Sequence, residues 1–288
     1  MTRILITSDI HQAIPKWDQL IRTCELEKPD LILIAGDLLP KWQPWPEAQG
    51  PWLENEFPSI LGRIRDASGG APVLTYFGND DHHSWIGLMD DLEARGLCIH
   101  MDQRVFRSHG LVFAGMNRVR DYPFGYKHWV ARDGDFIDHP VQFCFRKPEE
   151  FAAHRAHLLA EPSLGDRLDS LVSELAPGEM NRSIWLIHQP PAGHGLDLLD
   201  NGEGCGSSDV LNFLQTHQPL LSCHGHIHES PHAPGGKWVA AVGETLAVQQ
   251  GQIGRELHYV TLEIGEDLVA RNIRHSIFGP ASQESEGR

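Results

Sequence analysis

Short, unbroken apolar runs punctuate this chain. The first is Arg3-Ile4-Leu5-Ile6-Thr7-Ser8, and others occupy residues 31–35, 72–77, 111–116 and 183–187. Runs of this length without polar alternation predict strands buried on both faces. Between the first two, Trp17, Leu20, Ile21 and Cys24 fall at helical spacing over residues 14–27, and Pro29-Asp30 ends the pattern. Strand, helix, strand at that separation predicts a βαβ unit. It implies a parallel sheet whose strands deliver loops to one common edge.

Further helices are expected over 55–66, through Met89, Leu92 and Ala94, and over 148–160, 165–176 and 208–216; short strands are expected near 97–100 and 103–107. Pro219-Leu220-Leu221-Ser222 predicts a buried strand running into Cys223-His224-Gly225-His226-Ile227-His228-Glu229. The stretch 237–275 reads as β-rich, with period-two alternation in Leu257-His258-Tyr259-Val260-Thr261-Leu262. Two segments have no clean period. Residues 40–58 carry Pro with Trp42, Trp45 and Trp52, and residues 118–147 carry Arg118, Arg120, Lys127, His128, Arg132, Arg146 and Lys147. Both are expected as loops inserted over the mouth of a site, the second as a solvated basic loop or, alternatively, a phosphate-facing lid. Residues 1–279 are expected to form one domain, with 280–288 a disordered tail.

Composition narrows the function classes. With 24 Lys+Arg against 39 Asp+Glu in 288 residues, the net charge of −15 argues against stable duplex-DNA binding, which depends on phosphate neutralisation. A small phosphorylated substrate stays open, because bound cations add positive charge that side-chain counting misses. Five scattered cysteines without a Cys-x-x-Cys, no basic leader and no run of 18 apolar residues predict a cytoplasmic protein without a membrane span.

Five strand ends finish in metal-ligand residue types: Asp9 and His11, Asp37, Asn79, His188, and His226 with His228. The alternation of His226 and His228 about Ile227 would project both imidazoles the same way. Mixed N and O donors of this kind suit Mn, Fe or Zn. Seven donors exceed what one four-coordinate ion uses and match two ions with a shared carboxylate, for which Asp37 is the natural bridge. His224, Glu229 and Asp197 are candidates to orient ligand imidazoles, and Arg118 and Arg120 candidates to face substrate.

In order, and over nearly the whole chain, Asp9-x-His11, Gly36-Asp37, Gly78-Asn79, His188 and Gly225-His226-x-His228 resemble the signature of calcineurin-like metallophosphoesterases. His188-Gln-Pro-Pro with Gly193 and Asp197 looks like a small phosphodiesterase-like branch, with Gly-Asn-Asp where many members have Gly-Asn-His. The resemblance implies an α/β fold, a four-layer αββα sandwich with a dinuclear metal site at the C-terminal ends of its strands. Carried over by position, one ion would be held by Asp9, His11, Asp37 and His228, the other by Asp37, Asn79, His188 and His226.

The implied activity is metal-dependent hydrolysis of a phosphoester, phosphodiesters favoured, by a hydroxide bridging two divalent ions (Mn²⁺ favoured, Fe or Zn²⁺ also suited). The family's His after the Asn is replaced by Asp80. Asp80 or His82, or His83 beside it, could act as general acid, but the favoured expectation is that a metal stabilises the leaving oxygen and good leaving groups need no dedicated acid. Two other readings share the fold: a catalytically degenerate interaction scaffold and a nuclease. The sequence is silent on oligomeric state.

Overall fold

Alternate residues of each apolar run go to different cores, which is why the runs are unbroken. The computed structural model describes residues 1–41, 44–120, 128–135 and 147–281. Its first half comprises β1 (Thr2–Thr7), α1 (Ile14–Glu27), β2 (Leu31–Ile34), α2 (Gln49–Asn55), α3 (Phe57–Ser68), β3 (Val73–Thr75), α4 (Ile86–Ala94) and β4 (Ile99–His100). Next come β5 (Arg104–Ser108), β6 (Leu111–Met116), β7 (Val119–Arg120), β8 (Val130–Ala131), α5 (Pro148–Ala160) and α6 (Leu164–Val172). The rest is β9 (Ser183–Ile187), α7 (Ser208–His217), β10 (Leu221–His224), β11 (Val239–Val242), β12 (Thr245–Gln249), β13 (Val260–Ile264), β14 (Ala270–His275) and β15 (Gly279–Pro280).

The strands form one sheet in the order β15-β14-β13-β1-β2-β3-β4 and a second in the order β11-β12-β10-β9-β6-β5, with β7 and β8 as a separate pair. β1 to β4 run parallel, as do β6, β9, β10 and β12. Ile4, Ile6, Leu31, Leu33 and Leu74 of the first sheet share a core with Phe113, Ile184, Leu186, Leu221 and Val248 of the second. Their strand neighbours Leu5, Ile32, Ile34 and Val73 pack instead on Trp17, Leu20, Phe57, Leu61 and Met89 of the first helical layer. On the far side Met116, Trp185, Ile187 and Ala247 meet Leu168, Leu171, Val210 and Leu214 of α6 and α7. The result is helix, sheet, sheet, helix. Burying each such Leu or Ile contributes roughly 1.5–3 kcal/mol.

Three expectations are corrected. Residues 40–58 are not simply a loop: α2 buries Trp52 and Leu53 in the first helical core. The strand expected from Leu257 begins at Val260, because Leu257 and His258 are still engaged by Gln19 and Gln252. Gly279–Pro280, at the start of the expected tail, pairs with β14 as β15. Lys127 and Arg146 of the expected lid, Trp42, and residues 282–288 lie outside the described residues.

Candidate metal centre

Parallel pairing of β1, β2 and β3 sets the loops that follow them side by side, carrying Asp9 and His11, Asp37, and Asn79. The facing sheet presents the ends of β9 and β10, with His188 and His226. Asp9, His11, Asp37 and His226 all have left-handed backbones, with φ of 53°, 51°, 53° and 73°. That is uncommon for residues with a Cβ and costs on the order of 1 kcal/mol each. It is held in place by a ladder across the loops: Asp9 N–H donates to Gly36 O at 3.0 Å and His11 N–H to Asp37 O at 2.9 Å. The Trp17 indole of α1 donates to His11 O at 2.7 Å. Gly36 has φ of 88°, and a Cβ there would stand 2.8 Å from His188 Nδ1.

One ligand atom from each of Asp9, His11, Asp37 and His228 lies within 4.8 Å of the others. His228 Nε2 is 3.3 Å from Asp9 Oδ1, and His11 Nε2, buried without a hydrogen-bond partner, is 4.0 Å from Asp37 Oδ2. On the other side of Asp37, His188 Nε2 is 3.5 Å from its Oδ2 and 3.1 Å from Asn79 Oδ1, and His226 Nδ1 is 2.5 Å from the same Asn79 oxygen. The other six expected ligands are therefore gathered about one carboxylate, Asp37. Its Oδ1 is partly occupied, accepting Asp80 N–H at 2.9 Å.

Electrostatics bear on whether cations fit. Burial pushes the Asp9 carboxyl up, but the charges of His228 and His188 outweigh it and hold Asp9 below the ordinary range. Asp37 is likewise lowered against its burial, by His188, His11 and Lys41. Burial pulls His188 down, yet Asp37 and then Asp9 raise it to about 9. Burial and Lys41 push His11 down to about 3, while burial and His188 hold His226 well below the ordinary value. The chain alone thus sets two buried carboxylates against a proton on His188 and the charge of Lys41, while His11 and His226 are pushed toward the neutral form. Divalent cations would take over that balance, and the buried, unpartnered His11 Nε2 is a free donor for one. The residues fit a metal pair.

Asp80 is placed beside the centre with both oxygens engaged. Oδ1 accepts from Asn79 Nδ2 at 3.0 Å, which turns the Asn79 carbonyl oxygen toward His188 and His226. Oδ2 takes Lys41 Nζ at 2.5 Å. His82, the other expected acid, packs its ring on His83 and His128, and its Nδ1 accepts Ser84 N–H at 3.2 Å. His224 is buried behind the site, its Nδ1 facing Ile187 O and Gln189 O, and burial pushes it down to about 4. Asp197 organises the glycine-rich loop by accepting Gly193 N–H and Gly206 N–H. Arg118 lies over the Trp129 ring at 4.5 Å, and Arg120 donates to Gly206 O at 2.7 Å. Glu229 is partly buried at the start of the turn Ser230–His232.

Two functional positions escaped sequence reasoning. Lys41 follows Asp37 by four residues, and a lone Lys just after a ligand Asp in an acidic chain was the available signal. Asp81 is fully buried, and its carboxylate accepts Leu38 N–H, Leu39 N–H and Gly78 N–H at 2.9, 2.8 and 2.9 Å. It latches the loop after Asp37 to the loop before Asn79.

Comparison with known proteins bears on the fold and the family. One solved structure superposes with a TM-score of 0.59 at 15% identity, covering 90% of this chain and 94% of its own. TT1561 of Thermus thermophilus gives 0.56 at 17% identity, covering 91% and 93%. A Staphylococcus aureus protein provisionally assigned as a 5′-nucleotidase, solved with alpha-ketoglutarate, gives 0.55 at 13%, covering 99% of this chain and 56% of its own. At such identities the likeness is one of fold. No match was found among curated proteins. The family described as calcineurin-like phosphoesterase matches residues 2–230. This chain, with its αββα sandwich and its ligand-type residues gathered about Asp37, belongs to the calcineurin-like phosphoesterase family.

Proposed function

We propose that this chain is a hydrolase of small phosphorylated substrates, phosphodiesters favoured, dependent on two divalent cations of which Mn²⁺ suits the donors best and Fe or Zn²⁺ also fit. The observation that carries this reading is the gathering of six N and O donors about the Asp37 carboxylate. Asp9, His11, Asp37 and His228 would hold one cation, and Asp37, Asn79, His188 and His226 the other. When bound, such a pair polarises a phosphoryl group and acidifies water, which is the chemistry of in-line phosphoester hydrolysis.

The chain's own groups do the positioning. Asp80 fixes the Asn79 amide and so is a positioning residue; burial and then Asp37 push its carboxyl up, against the pull of the paired Lys41. Lys41 is the cation at the mouth: its charge reaches Asp37 and Asp9, so an anion approaching the centre would pass within its field. In a chain of net charge −15 that local charge favours a phosphoryl group over the surrounding surface. Good leaving groups need no dedicated acid.

Among the described residues no helix is long and apolar enough to cross a membrane. Cys24, Cys98, Cys205 and Cys223 are buried free thiols, which supports a reducing, cytoplasmic setting. The test of the proposed activity is metal-resolved turnover on chromogenic mono- and diesters. Diester cleavage with Mn²⁺ is expected, and Asp37→Ala or His226→Ala should abolish it. Full activity in either variant would refute the ligand set. Protein that holds no transition metal and cleaves no phosphoester would favour a scaffold, and preferential cleavage of single-stranded oligonucleotides a nuclease.

A further inference from the structure

A second group of imidazoles gathers beside the mouth, away from Asp37. The rings of His82 and His83 stack at 4.6 Å, and His128 closes on them at 4.0 and 4.5 Å. One ring nitrogen from each lies within 4.8 Å of the other two. His83 and His128 are exposed and His82 is partly so.

The backbones that carry these rings are anchored independently of the rings themselves. His82 N–H donates to Gln49 Oε1 at 2.8 Å, and His83 opens the short turn His83–Trp85. His128 is held by its neighbour Trp129, whose indole donates to Asp81 O at 2.5 Å and whose carbonyl accepts Val119 N–H at 3.0 Å. Both arms of the cluster are thus tied to Asp81, the same residue that latches the metal-centre loops.

We propose that His82, His83 and His128 form a further cation site, separate from the Asp37 centre, that takes one borderline divalent ion such as Zn²⁺, Ni²⁺ or Cu²⁺ through three imidazole nitrogens. Nitrogen-only donors select such ions over Mg²⁺ or Ca²⁺, which prefer oxygen. Metal–nitrogen bonds of about 2.0–2.1 Å place ligand nitrogens roughly 3.3 Å apart in tetrahedral geometry. Ring rotations can close the present gap. The contact that competes is Ser84 N–H on His82 Nδ1, at 3.2 Å near the long end of the hydrogen-bond range. The ion would clip the loop after β3 to the segment entering β8, beside the Trp45 indole that faces Asp80 O at 3.4 Å. The site does not depend on the phosphoesterase reading.

The test uses the full chain and its His83→Gln/His128→Gln double variant, both positions being exposed. Zn²⁺ titration against a colorimetric chelator is expected to find one site fewer in the variant, with the remaining sites unchanged. His128→Gln alone should weaken that site at least tenfold. The Cu²⁺ spin-resonance spectrum of the parent, minus that of the variant, should carry the hyperfine pattern of three nitrogens. An unchanged circular dichroism spectrum and melting temperature establish that the variant is folded. Equal Zn²⁺ stoichiometry and affinity in parent and variant would overturn the proposal, as would a difference spectrum with fewer than three nitrogens.

Discussion

Removing the Asp81 carboxylate should unlatch the metal centre without touching a ligand. Asp81 is wholly buried and receives three backbone N–H groups, from Leu38, Leu39 and Gly78. In Asp81→Ala those donors lose their acceptor in a place water reaches poorly. Each unsatisfied buried N–H costs about 1–3 kcal/mol, so three set a ceiling of about 9. A water entering the vacated space would recover part, leaving an expected loss of about 3–5 kcal/mol. At about 2–4 °C per kcal/mol for a chain near this size, the melting temperature should fall by about 6–20 °C. Asp81→Asn keeps one oxygen but turns an NH₂ toward a donor, so its loss should fall between parent and Ala. Metal-free melting by circular dichroism, with urea denaturation alongside, measures this directly. The same variants should bind Mn²⁺ more weakly, since the loops bearing Asp37 and Asn79 lose their shared anchor. A metal-free Asp81→Ala protein melting within about 1 °C of the parent would refute the latch.

Lys41→Met should raise KM for an anionic diester several-fold while Mn²⁺ content stays at the parent level, because Lys41 pairs with Asp80 and touches no donor expected to bind metal; an unchanged KM would remove Lys41 from the substrate path. Stability of the metal-free protein should peak near pH 6.5. His188 holds its proton up to about 9 when folded against an ordinary 6.5, so its contribution is complete below 6.5 and is lost as pH rises toward 9. His11 and His224, pushed down to about 3 and about 4, contribute above 6.5 and lose that contribution as pH falls through those values. Saturating Mn²⁺ should abolish the alkaline decline, since cation and proton compete for His188; a metal-free melting temperature that climbs from pH 6.5 to 9 would contradict this.

The parts of the fold that could be read from sequence are those governed by local periodicity. Ile4 and Ile6 against Leu5, or Ile184 and Leu186 against Trp185 and Ile187, are apolar on both faces because each strand lies between two cores. That pattern predicts the parallel strands, and donor types just beyond it mark the candidate ligand residues; the sandwich followed only from the resemblance to the family. α2 was hidden because its seven residues include Gly50 and Pro51 and bury only Trp52 and Leu53 as apolar anchors, too few to set a period. Lys41 and Asp81 were hidden for another reason: the partners that define them are distant in sequence, Asp80 for one and Leu38 and Leu39 for the other. Such contacts follow from how β2 and β3 pair. The gathering of His128 with His82 and His83 is of the same kind, set by an indole bond across 48 residues of chain.

If Asp37 is the shared carboxylate of two cations, diffraction from Mn²⁺-loaded crystals at the manganese absorption edge will locate both ions. Two anomalous peaks should flank the Asp37 side chain, one against Asp9, His11 and His228, the other against Asn79, His188 and His226. A single peak, or peaks with no contact to Asp37, would contradict the account.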